Sequence, residues 1–86
     1  MKIEFDPAKD AENIRKHGIS LARAADLDTA SIVEDGRFAE PRFRAYGTVD
    51  GHSYCLAYTV RGEIIRAISL RRAHAKEMRK HAPQER

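Results

Sequence analysis

Cysteine occurs once in the 86 residues and proline three times, and no long apolar run is present. A helical membrane span needs about 18 consecutive apolar residues, so none is expected. Cys55 alone cannot close an internal disulfide, and its strand-like neighbours make it a candidate small core residue. The opening MKIEFDPAKD lacks the apolar region of a signal peptide, so the expected setting is a reducing cytoplasm. His17, His52, His74 and His81 are scattered, and no Cys/His cluster has zinc-ligand spacing, so neither metal nor cofactor is expected. Linkers, repeats and low-complexity segments are also missing. One domain over residues 1–86 is expected, with 81–86 as a frayed tail. A domain this small buries about 60–65% of its unfolded surface, so its core is thin.

Charge is plentiful but uneven. Residues 1–60 hold 8 Lys and Arg against 10 Asp and Glu, whereas residues 61–86 hold 8 against 3. The net +3 therefore conceals a basic C-terminal third. Such a segment fits a polyanion or an acidic protein partner, and a solvated basic helix would look similar.

Residues 2–5, KIEF, read as a short edge strand. FDPAKDAENIRKHGIS, 5–20, carries the punctuation of a helix: Asp6 as N-cap, Pro7 at the first helical position, Gly18 just past the end. Lys9, Asn13, Lys16 and His17 fall within an arc of about 100° on it. Ser20 reads as the cap of a second helix, LARAADLDTA, and SIVEDGR holds a short strand and turn. From Arg42 the period becomes two, giving strands RFRAYGTV, HSYCLAYTV and EIIRAISL separated by Asp50-Gly51 and Arg61-Gly62. The final RRAHAKEMRKHAPQER reads as a helix ending near Pro83. The order β-α-α-β-β-β-α predicts an α+β domain, an antiparallel sheet with helices packed on it.

Two-residue loops in both hairpins set Arg42 opposite Thr59, Arg44 opposite Ala57, and Ala57 opposite Arg66. One face is then apolar (Phe43, Ala45, Tyr54, Leu56, Tyr58, Val60, Ile65, Ala67). The other carries Arg42, Arg44 and Arg66 around Thr59, Ala57 and Cys55. Guanidinium groups with small residues between them suit a phosphate. Solvated arginines, or arginines paired with Glu63 or Glu77, would give the same pattern. One extra residue in the first loop would reverse the faces.

The chain resembles the BrnT family of toxins over about residues 3–81. The resemblance starts at FDPAK (5–9), Asn13 and KHGIS (16–20), and resumes at Glu40-Pro41-Arg42-Phe43 and Gly47. It is strongest at AYTVRG (57–62) and RAISLRRA (66–73). Phe5, Leu21, Arg23 and Leu70 depart from the family's usual Trp, Phe, Glu and Ala. His81 stands where the final helix often has tyrosine. The resemblance implies a RelE-like fold and the ribonuclease half of a type II toxin–antitoxin pair. It also implies metal-independent RNA cleavage and neutralisation by a BrnA-type ribbon-helix-helix antitoxin. A two-plus-two complex that represses its own promoter DNA is the family expectation.

Metal-independent cleavage has the RNA 2′-hydroxyl attack the adjacent phosphate. It needs a base, an acid and cationic support. Arginine stays protonated and can only stabilise charge, whereas histidine exchanges protons near neutrality. The catalytic candidates are therefore His17 for proton transfer, Lys16 beside it, Arg42 and Arg66 as phosphate binders, and Arg71 as a further cation. Strict alternation points Arg71 away from the Arg66 face. Lys9, Asn13, Arg44, His74 and His81 are candidate RNA contacts, with His74 and His81 on one face of the last helix. The scheme requires the end of the first helix to approach Arg42 and Arg66. The alternative is a non-catalytic basic module that binds RNA, DNA or an acidic protein.

Overall fold

The structure, a computed structural model, describes residues 2–82. Strand β1 (Lys2–Glu4) leads into helix α1 (Pro7–His17) and a 3-10 turn (Leu21–Asp26). Four strands follow, β2 (Asp28–Asp35), β3 (Arg42–Val49), β4 (His52–Arg61) and β5 (Ile64–Arg72), and helix α2 (Ala75–His81) closes the order. The five strands form one sheet in the order β1-β5-β4-β3-β2. The sheet is mixed: β1 runs parallel to β5 and the other pairs are antiparallel.

Helix α1 is built as its punctuation predicts. Asp6 accepts a hydrogen bond from the Ala8 N–H, and Gly18 ends the helix at φ 72°. The second expected helix is corrected. Only Leu21–Asp26 coils, capped by Ser20, and Asp28 onward is strand β2, paired with β3 along its length. Thr29, Ile32 and Val33 favour a pleated strand, and pairing with β3 overrides the alanine-rich helical propensity upstream. Gly47 is where the two strands close up. A Cβ there would lie 2.1 Å from the Asp28 carbonyl oxygen. The last helix is also shorter than expected. Arg71 and Arg72 belong to β5, and the helix ends at His81. The expected end near Pro83, and residues 83–86 of the expected tail, lie outside the described residues.

The core lies on one face of the sheet. Leu21 and Ala24 of the 3-10 turn pack on Ala45, Leu56, Tyr58, Ala67 and Leu70, flanked by Phe5, Ile19, Phe43 and Tyr54. Helix α1 docks through polar groups. Asn13 is its buried residue, whereas Ile14 is 48% exposed. The Asp10 carboxylate accepts hydrogen bonds from the Ser20 hydroxyl at 2.8 Å and the Leu21 N–H at 2.7 Å, which fastens the 3-10 turn to the helix.

The first hairpin has the expected register, with Arg42 opposite Thr59 and Arg44 opposite Ala57. Its Asp50-Gly51 turn has φ of 51° and 81°, positive at both positions as a type I′ turn requires. The second hairpin differs. Gly62, at φ 62°, is the first of two loop residues, so Arg61 pairs with Ile64 and Thr59 with Arg66. A glycine-first turn places its glycine there. A bulge then follows: Tyr58 pairs with Ala67 but Ala57 pairs with Ser69. The extra residue brings Arg71 opposite Cys55, on the same face as Arg66. Arg71 and Arg66 therefore share a face, contrary to strict alternation.

Candidate active site

The face opposite the core carries the arginines in rows. The first row crosses all five strands as Glu4, Arg66, Thr59, Arg42 and Asp35. Arg66 donates to Glu4 at 2.9 Å, not to the Glu63 or Glu77 weighed from sequence. Asp35 is taken by Arg37, whose hydrogen bonds hold its carboxyl at about 2. Thr59 is buried and donates to the Pro41 carbonyl at 2.6 Å. Arg42 has no carboxylate partner among the described residues and stacks on Phe38, 4.0 Å from the ring centroid.

Arg44 stands in the next row, between Val33 and Ala57. It too has no carboxylate partner among the described residues. Its Nη1 reaches the Tyr46 hydroxyl at 3.2 Å, and its Nε is buried without a partner. The third row runs Arg71, Cys55, Tyr46, Ser31 and lies under α2. His81 stacks on Tyr46 with centroids 4.9 Å apart, and the Ser31 hydroxyl donates to the His81 carbonyl. Burial pushes the Cys55 thiol and the Tyr46 phenol up, so both stay protonated.

Arg71 forms a fork with Glu77, both bonds at 2.8 Å. That pairing holds Glu77 at about 2 against its ordinary 4.5, and Glu77 also accepts the His74 N–H at 3.0 Å. One carboxylate thus anchors the last residues of β5 to the first turn of α2.

Where β5 ends, an open cavity of about 360 Å³ is lined by Lys16, His17, Arg71, Arg72 and His74. Its position follows from Asn13. The Asn13 amide donates to the Leu70 carbonyl at 2.8 Å and the Ile19 carbonyl at 2.9 Å, and its Oδ1 accepts the Leu70 N–H at 3.0 Å. This side chain occupies the β5 edge beyond the end of β1 and fixes the last turn of α1 beside Arg72. Lys16 is partly balanced by Glu12 at 3.4 Å.

The sequence-based candidates divide between these two places. Lys16, His17, Arg71 and His74 come together in the cavity. Arg42 and Arg66 do not join them. Arg66 lies five positions before Arg71 on β5, roughly 15 Å along the strand. Asn13 is buried among backbone groups, Lys9 is exposed outside the cavity, and His81 lies under α2 against Tyr46. His74 is the residue before α2 rather than on it, which is why it parts from His81. Two residues escaped the sequence reading. Arg72 belongs to β5 rather than to the last helix, and the bulge that carries the strand that far has no periodic trace in the sequence. Phe38 carries the weaker signal of an aromatic between Arg37 and Arg42 in a loop.

Cations and imidazoles around a cavity on a small basic α+β domain are the equipment of a protein acting on polyanions. A family model described as ribonuclease toxin, BrnT, of type II toxin–antitoxin systems matches residues 5–77. The chain belongs to this BrnT toxin family. Among solved structures it is similar to the ribonuclease toxin BrnT of Brucella abortus, with 32% identity and a TM-score of 0.65. The match covers 86% of this chain and 97% of that one. No curated protein matches the chain.

Proposed function

We propose that the protein is a metal-independent endoribonuclease whose cleavage centre is the cavity at the end of β5. The observation that carries this reading is the lining itself: among the described residues it holds two imidazoles with Lys16, Arg71 and Arg72, and its nearest carboxylate, Glu77, is engaged with Arg71. Such a lining attracts phosphate and repels a divalent cation. One imidazole of the His17/His74 pair takes the proton of the 2′-hydroxyl as that oxygen attacks phosphorus. The other donates a proton to the departing 5′-oxygen. The P–O5′ bond breaks, leaving a 2′,3′-cyclic phosphate and a 5′-hydroxyl. Lys16 and Arg72 stabilise the charge gathered on the phosphorane oxygens, where one lost donor costs on the order of 10²–10³ in rate. Arg71 acts with its charge already shared with Glu77. Arg42, Arg44 and Arg66 serve as backbone contacts for the RNA away from the cut, and Asn13 positions β5.

The antitoxin in this reading is BrnA-type, with a ribbon-helix-helix region, joined two-plus-two and repressing promoter DNA in the cytoplasm. Its support is the family membership. Incubating purified protein with RNA in EDTA tests the chemistry: new cyclic-phosphate ends are expected. Their absence in EDTA, with rescue by magnesium, would refute the metal-independent scheme. RNA binding without any new ends would favour the non-catalytic module. Co-purification with the adjacent gene product, followed by promoter gel shift, tests the partner.

A further inference from the structure

The loop between β2 and β3 presents an aromatic side chain that the fold does not use. Phe38 is 41% exposed and belongs to no core cluster. Two guanidinium groups lie on its ring, Arg42 at 4.0 Å and Arg37 at 5.5 Å from the centroid. They differ in availability. Arg37 is held by Asp35 through bonds of 2.9 and 2.6 Å, whereas Arg42 has no carboxylate among the described residues. The loop end is itself fixed, because buried Thr59 donates to the Pro41 carbonyl immediately before Arg42. Arg42 and Arg66 flank Thr59 on adjacent strands, so their Cα atoms lie about 10 Å apart. An unpaired nucleic-acid base stacks on aromatic rings and on guanidinium planes, and the phosphates beside it take guanidinium forks.

We propose that Phe38 and Arg42 form a stacking subsite for one unpaired RNA base, with Arg44, and Arg66 in exchange for its Glu4 partner, holding the neighbouring phosphates. The subsite lies several nucleotides from the cut, because the Arg42–Thr59–Arg66 row is roughly 15 Å along β5 from the cavity. It selects single-stranded substrate: a paired base has its faces covered by its neighbours and has none to offer. The inference rests on the reading of the protein as an RNA-cutting enzyme and adds where its substrate is gripped.

The test uses the full chain and a single-stranded oligoribonucleotide made uncleavable by 2′-O-methyl groups, with affinity read by fluorescence anisotropy. Phe38→Ala is expected to weaken binding about 5- to 100-fold, the range for one stacked base. Phe38→Tyr recovers the affinity. Moving one abasic nucleotide along the oligonucleotide finds a position whose loss costs the wild type as much as Phe38→Ala. The two losses do not add. Arg44→Ala, by contrast, lowers the slope of log affinity against log salt by about 0.7, the mark of one lost phosphate contact to a single strand. Phe38→Ala leaves that slope unchanged. Equal affinity of wild type and a folded Phe38→Ala overturns the subsite while leaving the cleavage reading intact. A wild type that neither binds nor cuts single-stranded RNA overturns both.

Discussion

Asn13 replaces a missing strand for Leu70: one side-chain amide satisfies both the N–H and the C=O of that residue, at 3.0 and 2.8 Å. β1 pairs only with Ile64–Arg66, so the outer edge of β5 beyond it would otherwise be bare. The same amide holds the Ile19 carbonyl at 2.9 Å and so sets where the last turn of α1 stands. Asn13→Ala should cost about 2–4 kcal/mol, since it leaves buried backbone groups unpaired. Thermal unfolding checks this; a melting temperature within about 4 °C of wild type would sink it.

His17 and His74 line the same cavity, which gives the proposed cleavage a kinetic signature. His17→Ala and His74→Ala should each lower cleavage about 10²–10⁴-fold, with the fold retained. The double variant should fall well short of the product of the two losses, because in the proposed mechanism both groups serve one transition state. Strict additivity would show that the two histidines act in separate events.

The Arg71–Glu77 fork makes the docking of α2 sensitive to acid. Glu77 titrates at about 2 in the folded chain and 4.5 is its ordinary value. Its contribution is therefore whole above about pH 4.5 and disappears as pH falls toward 2. Glu77→Gln should cost about 1–2 kcal/mol at neutral pH, less than a dry site would give, because water reaches both side chains. Urea unfolding should show the gap between the two proteins closing as pH falls from 5 to 2. A constant gap across that range would refute the assignment.

Gly47→Ala should destabilise by about 3 kcal/mol, an overpacking cost at a backbone crossing. The added Cβ would stand 2.1 Å from the Asp28 carbonyl oxygen, and no flexible side chain can yield. An alanine variant that unfolds at the wild-type urea midpoint would show that β2 can move away.

The two hairpins show what was legible in the sequence and what was not. Asp50-Gly51 declares its turn type through residue chemistry, so the register of β3 on β4 and the two faces of that strand pair follow from the sequence. Arg61-Gly62-Glu63 declares only that glycine must take positive φ, and two loop placements satisfy that. Choosing Gly62-Glu63 shifts every partner in β5, and the bulge at Ala57/Tyr58 shifts them again. A bulge is decided by how the two strands twist against the core, and it leaves no periodic mark.

The sequence by itself determined α1 from Asp6 to Gly18, the order of the strands from Arg42 onward, the apolar face and the basic strip. These depend on caps, turn residues and alternation, which act over a few residues. The tertiary structure decided which cations meet. Asn13, 57 positions from Leu70, carries His17 to the end of β5. One extra residue turns Arg71 to the Arg66 face. Together they place Lys16, His17 and His74 with Arg71 and Arg72, and leave Arg42 and Arg66 toward the other end of the sheet. Contacts between residues so far apart in the chain are fixed by packing, because no local preference acts over that separation.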